Sequence, residues 1–381
     1  MDELMRSRSR GTVMVALALS LIIAPLLIFR ILPDRSKGAE LGWATSGNYI
    51  VSYGPVKEPY PSTTDNTYYL YSPSGEEIGR EKGPGSWSPI ALPTRGGSYL
   101  YFADKIRQSG GNGSEISVPY RSPIVNFDGS PNGSFSIAIL NTSQSAAFSH
   151  SVMLLKDDGE IIERDFPSIP HSLAVGDSEA LIVGNPREGE GNANENELYL
   201  LDTDGNLTKI PFPPGYDVET DFKYPYANYL GDGKFEVLQG HSEGRKTHLT
   251  SFEVSVDSAK KQLDVHNIHP LTMTLSEDFA ITRTLPNGEN GVIDKSGNVY
   301  INRRDLSEPE QVGHIEGFSA DNFIRMKTPG REPKFGLRRA GKIEVRKWND
   351  PDAVLFSVDV ERSACGSPDC DVASISETYG K

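Results

Sequence analysis

Two kinds of apolar pattern interrupt the polar background of this chain. The first occurs once: residues 11–29 run 19 positions without a charge, and residues 31–33 extend the run slightly. At 1.5 Å per residue such a helix crosses a hydrocarbon core of roughly 30 Å. The second recurs. Residues 68–80, 152–164, 198–210, 290–302 and 335–347 each read as a short apolar run, an Asp, Ser, Lys or Ala beside Gly, and a second run. That pattern predicts a β-hairpin, because glycine takes the positive φ that a tight turn requires. The turn glycines Gly75, Gly159, Gly205, Gly297 and Gly341 stand 84, 46, 92 and 44 residues apart. The two wide gaps hold weaker hairpins, at residues 113–120 and at 252–265 with its turn near Ser258. The period is therefore about 44 residues.

An independent set of strands leads into these hairpins, at residues 46–54, 95–104, 130–140, 176–184, 231–240, 276–285 and 319–328. Residues 42–44 (Gly-Trp-Ala) and 317–319 (Gly-Phe-Ser) even match in detail before the first and last of them. Both series count seven. A sheet of about 44 residues buries neither face alone, and radial packing around an axis buries both while leaving only short edges. The fold predicted is all-β: a seven-bladed β-propeller over residues 40–362, preceded by one N-terminal transmembrane helix. The lead-in strand is expected innermost, the hairpin next, and short fourth strands at residues 89–92 and 315–318. Residues 40–45 and 353–358 both stand as candidates to close the ring. No stretch outside the apolar run keeps a 3.6-residue period for three turns, which excludes a helical solenoid.

Ser130-Pro131-Asn132-Gly133 before an apolar strand, and Leu198-Tyr199-Leu200-Leu201-Asp202-Thr203-Asp204-Gly205 at a hairpin, carry a further signal. They resemble the blade motifs of the TolB-like and WD40-like propeller superfamily, although the chain has no Trp-Asp signature. The resemblance implies the fold and a habit of binding other proteins; it carries over no catalytic residue.

Charge adds a location. The chain holds 38 Lys+Arg against 52 Asp+Glu, a net charge of −14, which argues against nucleic acid as a partner. A cleaved signal peptide is the alternative to an anchor, but its apolar region is usually about 7–15 residues with a small-residue cleavage site. The run here is longer and has no such site. Arg6, Arg8 and Arg10 before the span balance Arg30, Arg35 and Lys37 after it. The ten-residue tail and the acidic bulk of the rest favour residues 1–10 inside, residues 11–32 as the anchor, 33–39 as a linker, and the propeller on the extracytoplasmic side of the cell membrane.

Candidate chemistry is sparse. There is no G-x-S-x-G elbow, P-loop, dinucleotide fingerprint or H-E-x-x-H. Residues 202–206 (Asp-Thr-Asp-Gly-Asn) place Gly fourth where an EF-hand needs it sixth, so a hairpin turn is expected. His241, His248, His266 and His269 cluster in sequence, but on a strand the H-x-x-H rings point to opposite faces. No metal site or cofactor is assigned. Cys365 and Cys370, the only cysteines, are spaced for a disulfide closing a turn, with a disordered tail to residue 381.

Excess loop length marks where binding is expected: residues 55–66, 105–113, 141–149, 186–196, 241–246, 286–290 and 329–333. Arg187 and Glu190 stand in the most acidic of these loops. Tyr216, Tyr224, Tyr226 and Tyr229 form an aromatic cluster of a composition suited to a contact surface. The sequence thus describes a membrane-anchored module that binds a protein or envelope ligand without catalysis. Two alternatives stay open, a propeller enzyme acting on a carbohydrate or small ligand at the central channel, and a structural envelope component.

Overall fold

The structure, a computed structural model, describes residues 43, 45–55, 65–85, 89–110, 113–119, 122–143, 149–187, 196–212, 226–243, 246–257, 260–273, 279–284, 290–294, 298–302, 310–318, 322–327, 342–347, 350–361, 364 and 370–379. Among these residues there are 27 strands and no helix. The apolar run at residues 11–32 lies outside them. No helix among the described residues is long and apolar enough to cross a membrane.

The strands pair antiparallel with their sequence neighbours. The first sheet contains β1 (Tyr49–Pro55), β2 (Asn66–Tyr71) and β3 (Glu77–Gly83). The second is β4 (Ala91–Thr94), β5 (Gly97–Phe102), β6 (Lys105–Ser109) and β7 (Glu115–Ser117). The third is β8 (Ile124–Gly129), β9 (Phe135–Asn141), β10 (His150–Lys156) and β11 (Ile161–Phe166). The fourth is β12 (Ile169–Val175), β13 (Glu179–Asn185), β14 (Glu197–Asp202) and β15 (Leu207–Ile210). The fifth is β16 (Tyr226–Gly231), β17 (Lys234–Glu243), β18 (Lys246–Asp257) and β19 (Gln262–Met273).

A seven-stranded sheet follows: β20 (Phe279–Thr284), β21 (Asn290–Asp294), β22 (Asn298–Asn302), β23 (Glu310–Phe318), β24 (Asn322–Lys327), β25 (Lys342–Lys347) and β26 (Asp350–Asp359). Its two halves share β23, whose first residues pair with β22 and whose last pair with β24 across a register shift. The chain then returns as β27 (Cys370–Glu377), the fourth strand of the first sheet, paired with β1 from Tyr49↔Glu377 to Pro55↔Cys370.

Burial explains why the sheets stack. Every residue of β2 and β5 is buried, whereas the edge strand β3 alternates between exposed and half-buried positions. A strand buried on both sides needs a neighbour on each face, and the cores supply one. Ile50, Tyr68 and Leu70 of the first sheet meet Ala91, Leu100 and Phe102 of the second. Successive sheets share cores in the same way as far as the fifth. Tyr49 stacks on Phe356 of β26 at 4.3 Å between ring centroids, which brings the last strands back onto the first sheet. First strands of successive sheets lie side by side, β27 by β4, β4 by β8, β8 by β12 and β12 by β16. This is a β-propeller arrangement.

Several expectations need correction. The lead-in strand is second, not innermost, in the first five sheets; a short strand such as β4 or β8 precedes it. These first strands carry too few apolar residues to stand out. The first sheet is completed by β27; residues 353–358 belong to the edge strand β26, and of residues 40–45 only Trp43 and Thr45 are among the described residues. The tail expected to be disordered is therefore a sheet strand. Of the fifth predicted hairpin, residues 335–341 lie outside the described residues and the rest is β25, paired with β24 and β26. Residues 105–109 are β6 rather than loop, so the Gly-rich connection after it emerges at the opposite end of its sheet from the other six connections. The expected loop 241–246 is instead the tight hairpin end of β17 and β18, with Glu243 paired to Lys246.

Those two ends differ. One carries the tight turns that join first to second and third to fourth strands. At residues 202–206, Asp202 Oδ1 accepts from the Asp204 and Asn206 amides at 3.0 and 2.8 Å, and Gly205 holds φ +77°. A hairpin turn, as expected, accounts for this acidic segment. Turns of successive sheets are also stitched together. The Arg95 amide donates to the Gly133 carbonyl at 2.8 Å, and Asn132 Nδ2 to the Asp177 carbonyl at 3.1 Å. The other end carries the longer connections.

Candidate functional site

The most unusual polar group of the described residues lies at the long-connection end, where the third and fourth sheets meet. Strand β9 ends at Asn141, and β10 begins at His150, which faces Asn141 on one side and Phe166 of β11 on the other. The connection between them is pinned at its base by the Thr142 amide, which donates to the Ser149 carbonyl at 2.9 Å. His150 is buried, with 5% of its surface exposed.

From the fourth sheet, β12 contributes His171 at a register shift between Pro170 and Ser172. A bulge of this kind re-aims a side chain. The His171 side chain hydrogen-bonds Asn185, the last residue of β13. Two residues further on, Arg187 reaches back across the seam and its Nη2 donates to the Phe166 carbonyl. Asn126 Nδ2 of β8 donates to the His171 carbonyl at 3.5 Å and ties the same two sheets.

The electrostatics of this seam are one-sided. Burial pushes the His150 imidazole below its ordinary value of 6.5, and the nearby Arg187 charge and His171 push it the same way. His171 is lowered by burial, opposed by its hydrogen bond with Asn185. Both rings are therefore held neutral at pH 7, and Arg187 is the standing charge. Among the described residues neither His150 Nδ1 nor Arg187 Nε has a hydrogen-bond partner, although both atoms are shielded from solvent. The Glu197 carboxylate of the fourth sheet serves another cation. Burial works against ionisation of Glu197, but Lys209, Ser168 and Tyr199 together hold its carboxyl below the usual range. Tyr199 O–H donates to Glu197 Oε2 at 3.0 Å.

The structure separates the residues singled out from sequence. Arg187 belongs to the seam. Tyr229 lies near the tight-turn end of β16, where its hydroxyl donates to Asp177 Oδ2 at 2.9 Å and accepts from the Gly233 amide at 3.0 Å. Its ring packs on Phe235, centroids 5.1 Å apart, so it joins turns and core. Tyr226 opens β16 at the long-connection end, opposite Leu238. Tyr216, Tyr224 and Glu190 lie outside the described residues. Cys370 begins β27 and is disulfide-bonded, while Cys365, the only other cysteine, lies outside them.

His241 and His248 are direct cross-strand partners on β17 and β18, and His266 Nε2 meets Ser255 Oγ at 2.7 Å. No group of three or more metal-ligating side chains occurs among the described residues. Sequence reasoning missed His150 and His171. Their only signal is position: one closes the loop after β9, and the other precedes a lead-in strand by a few residues.

No family model matches the chain, and no curated protein does. Among solved structures it is similar to the β-propeller domain of Nup133 from Vanderwaltozyma polyspora, at 12% identity over 73% of this chain and 94% of that one, TM-score 0.42. It is also similar to TolB from Acinetobacter baumannii, at 11% identity over 81% and 82%, TM-score 0.37. A third similarity is to cobalt-substituted apocarotenoid oxygenase of Synechocystis, at 11% identity over 88% and 93%, TM-score 0.38. At such identities the likeness concerns form and says nothing of activity.

Proposed function

We propose that this protein is a seven-bladed β-propeller, anchored to the cell membrane by residues 11–32 with its N-terminus inside. Its propeller lies on the extracytoplasmic side and binds a protein or envelope ligand without catalysis. One observation carries the binding role: the two ends of the sheets are built differently. The tight-turn end is closed by hydrogen bonds from turn to turn. Six of the seven loops flagged from sequence fall between strands at the opposite end. The connections at 56–65, 142–149 and 186–196 are longer than a hairpin needs, whereas 241–246 is a tight hairpin with Glu243 paired to Lys246. The seam there offers imidazoles and a guanidinium rather than an acid–base pair, which suits recognition better than chemistry.

The test is in-cell crosslinking of the full-length chain in its native membrane, with identification of what co-purifies. The control has residues 56–64, 144–148 and 188–195 replaced by tight turns. A stoichiometric partner seen with the native chain and lost with the control supports the reading. A chain that crosslinks to nothing, or whose partner is indifferent to loop shortening, sinks it.

A further inference from the structure

We propose that the seam formed by His150, His171 and Arg187 is a recognition site for a single carboxylate, supplied by an acidic side chain of the bound partner. The inference deepens the binding reading and rests on it for the source of the carboxylate. Its physical basis is a cation to which no described residue supplies a carboxylate partner. In a chain of net charge −14, the Arg187 guanidinium has as its acceptor a main-chain carbonyl, that of Phe166. A partly buried charge without an opposite partner is costly, and the cost is relieved when a counter-ion arrives. Among the described residues of the fourth sheet, the Glu197 carboxylate is already held by Lys209, Ser168 and Tyr199.

The donor geometry narrows the class of ligand. A guanidinium offers its Nε–H and an adjacent Nη–H along one edge, a fork that matches the two oxygens of a carboxylate. Arg187 Nε has no hydrogen-bond partner among the described residues and is shielded from solvent, while the side chain as a whole is half-buried, so a carboxylate engages it by a small shift of the guanidinium toward the exposed side. His150 Nδ1, likewise without a partner there, offers a second contact from the facing sheet. A metal ion is disfavoured at these imidazoles because the Arg187 charge is close enough to act on His150. A phosphate dianion would find one standing positive charge where it needs two. A carboxylate matches that charge and leaves both sheets' donors satisfied.

A bound carboxylate also reverses the field on His150. The groups that act on this ring, Arg187 and His171, both disfavour its protonation. A negative ligand between them favours it, so binding takes up a proton and strengthens as pH falls toward 6.

The experiment uses the full-length chain in detergent micelles with isotope-labelled histidine, read by imidazole resonances. The probes are N-acetylglutamate amide, the isosteric N-acetylglutamine amide, acetate and sodium chloride at matched ionic strength. The expected result is a saturable shift of the His150 and His171 signals with the glutamate derivative, absent with the glutamine derivative and with chloride. Affinity should be at least about threefold tighter at pH 6.0 than at pH 7.5.

The shift should be lost in Arg187→Gln, and weakened in His150→Gln should the first variant fold poorly; circular dichroism checks each. Equal shifts with chloride, or shifts that survive Arg187→Gln in a folded protein, overturn the site. A response to acetate with none to the glutamate derivative overturns the partner side chain as source and makes a free small acid the occupant. Because the titration needs no partner, its failure is distinct from a failed crosslink.

Discussion

Gly96 shows how tightly single positions fix the contact between neighbouring sheets. It sits in the turn between β4 and β5, and a Cβ there would overlap the carbonyl of Asp157, in the β10–β11 turn of the next sheet. Gly47 is the contrasting case, since its φ is +76° but nothing lies within 4 Å of where a Cβ would be. Gly96→Ala must move backbone and should cost about 3 kcal/mol or more. Gly47→Ala should cost only about 1 kcal/mol of local strain. Denaturant unfolding of both variants gives the order, and equal costs would contradict the packing of these turns.

The seam histidines make a second prediction at this scale. Unfolded, they titrate near 6.5; folded, both lie lower. As pH falls through 6.5 toward the folded values, the unfolded chain binds protons that the folded chain refuses, so stability is lost on acidification. Thermal unfolding between pH 7.5 and 5 should show that slope in the native chain and a shallower one in His150→Gln. The turn glycines were legible in sequence because the chemistry of a tight turn is local. His150 and His171 were not, because their meaning depends on two sheets meeting.

Among elements, β27 has most to explain and was the least visible. Its sequence, Cys-Asp-Val-Ala-Ser-Ile-Ser-Glu, is polar enough to read as a loose tail. The polar residues have partners: Ser374 Oγ donates to the Pro89 carbonyl at 3.1 Å and Ser376 Oγ to the Ala91 carbonyl at 2.8 Å, both in or beside β4 of the next sheet. Val372 meanwhile enters the core shared with Tyr49 and Phe356. Hydroxyls that bond across a seam replace the apolar alternation that marks an ordinary strand, and periodicity is blind to them. The central strands were readable for the opposite reason, since a strand buried on both faces is a continuous apolar run. The double variant Ser374→Ala, Ser376→Ala should lose roughly 1–3 kcal/mol, measured by denaturant unfolding, because two inter-sheet hydrogen bonds go. Little or no loss would mean that β27 is held by its pairing with β1 alone.

At the scale of the molecule the two termini play unequal parts. The C-terminal strand completes the first sheet, and Thr378 fastens it, its Oγ1 accepting from the Asn48 amide at 3.1 Å and donating to the Thr45 carbonyl. On the N-terminal side, the first described residue is Trp43, buried at 1% exposure among Ile50, Leu100 and Phe102. The proposed anchor precedes it in the sequence, and the described strands begin at Tyr49. A chain beginning at residue 40 should therefore keep the native unfolding midpoint and β-rich circular dichroism, and should move from the membrane to the soluble fraction. A chain ending at residue 369 should do neither, because it leaves the edge of β1 unpaired and opens the Tyr49–Phe356 core. Adding a peptide of residues 370–381 to that truncated chain tests the cause, since strand pairing can be supplied from outside. Recovery of cooperative unfolding assigns the loss to closure. If the N-terminal truncation stays with the membrane, the anchor reading fails while the fold stands. If it loses its unfolding transition, closure depends on both ends of the chain, and the asymmetry argued from β27 is wrong.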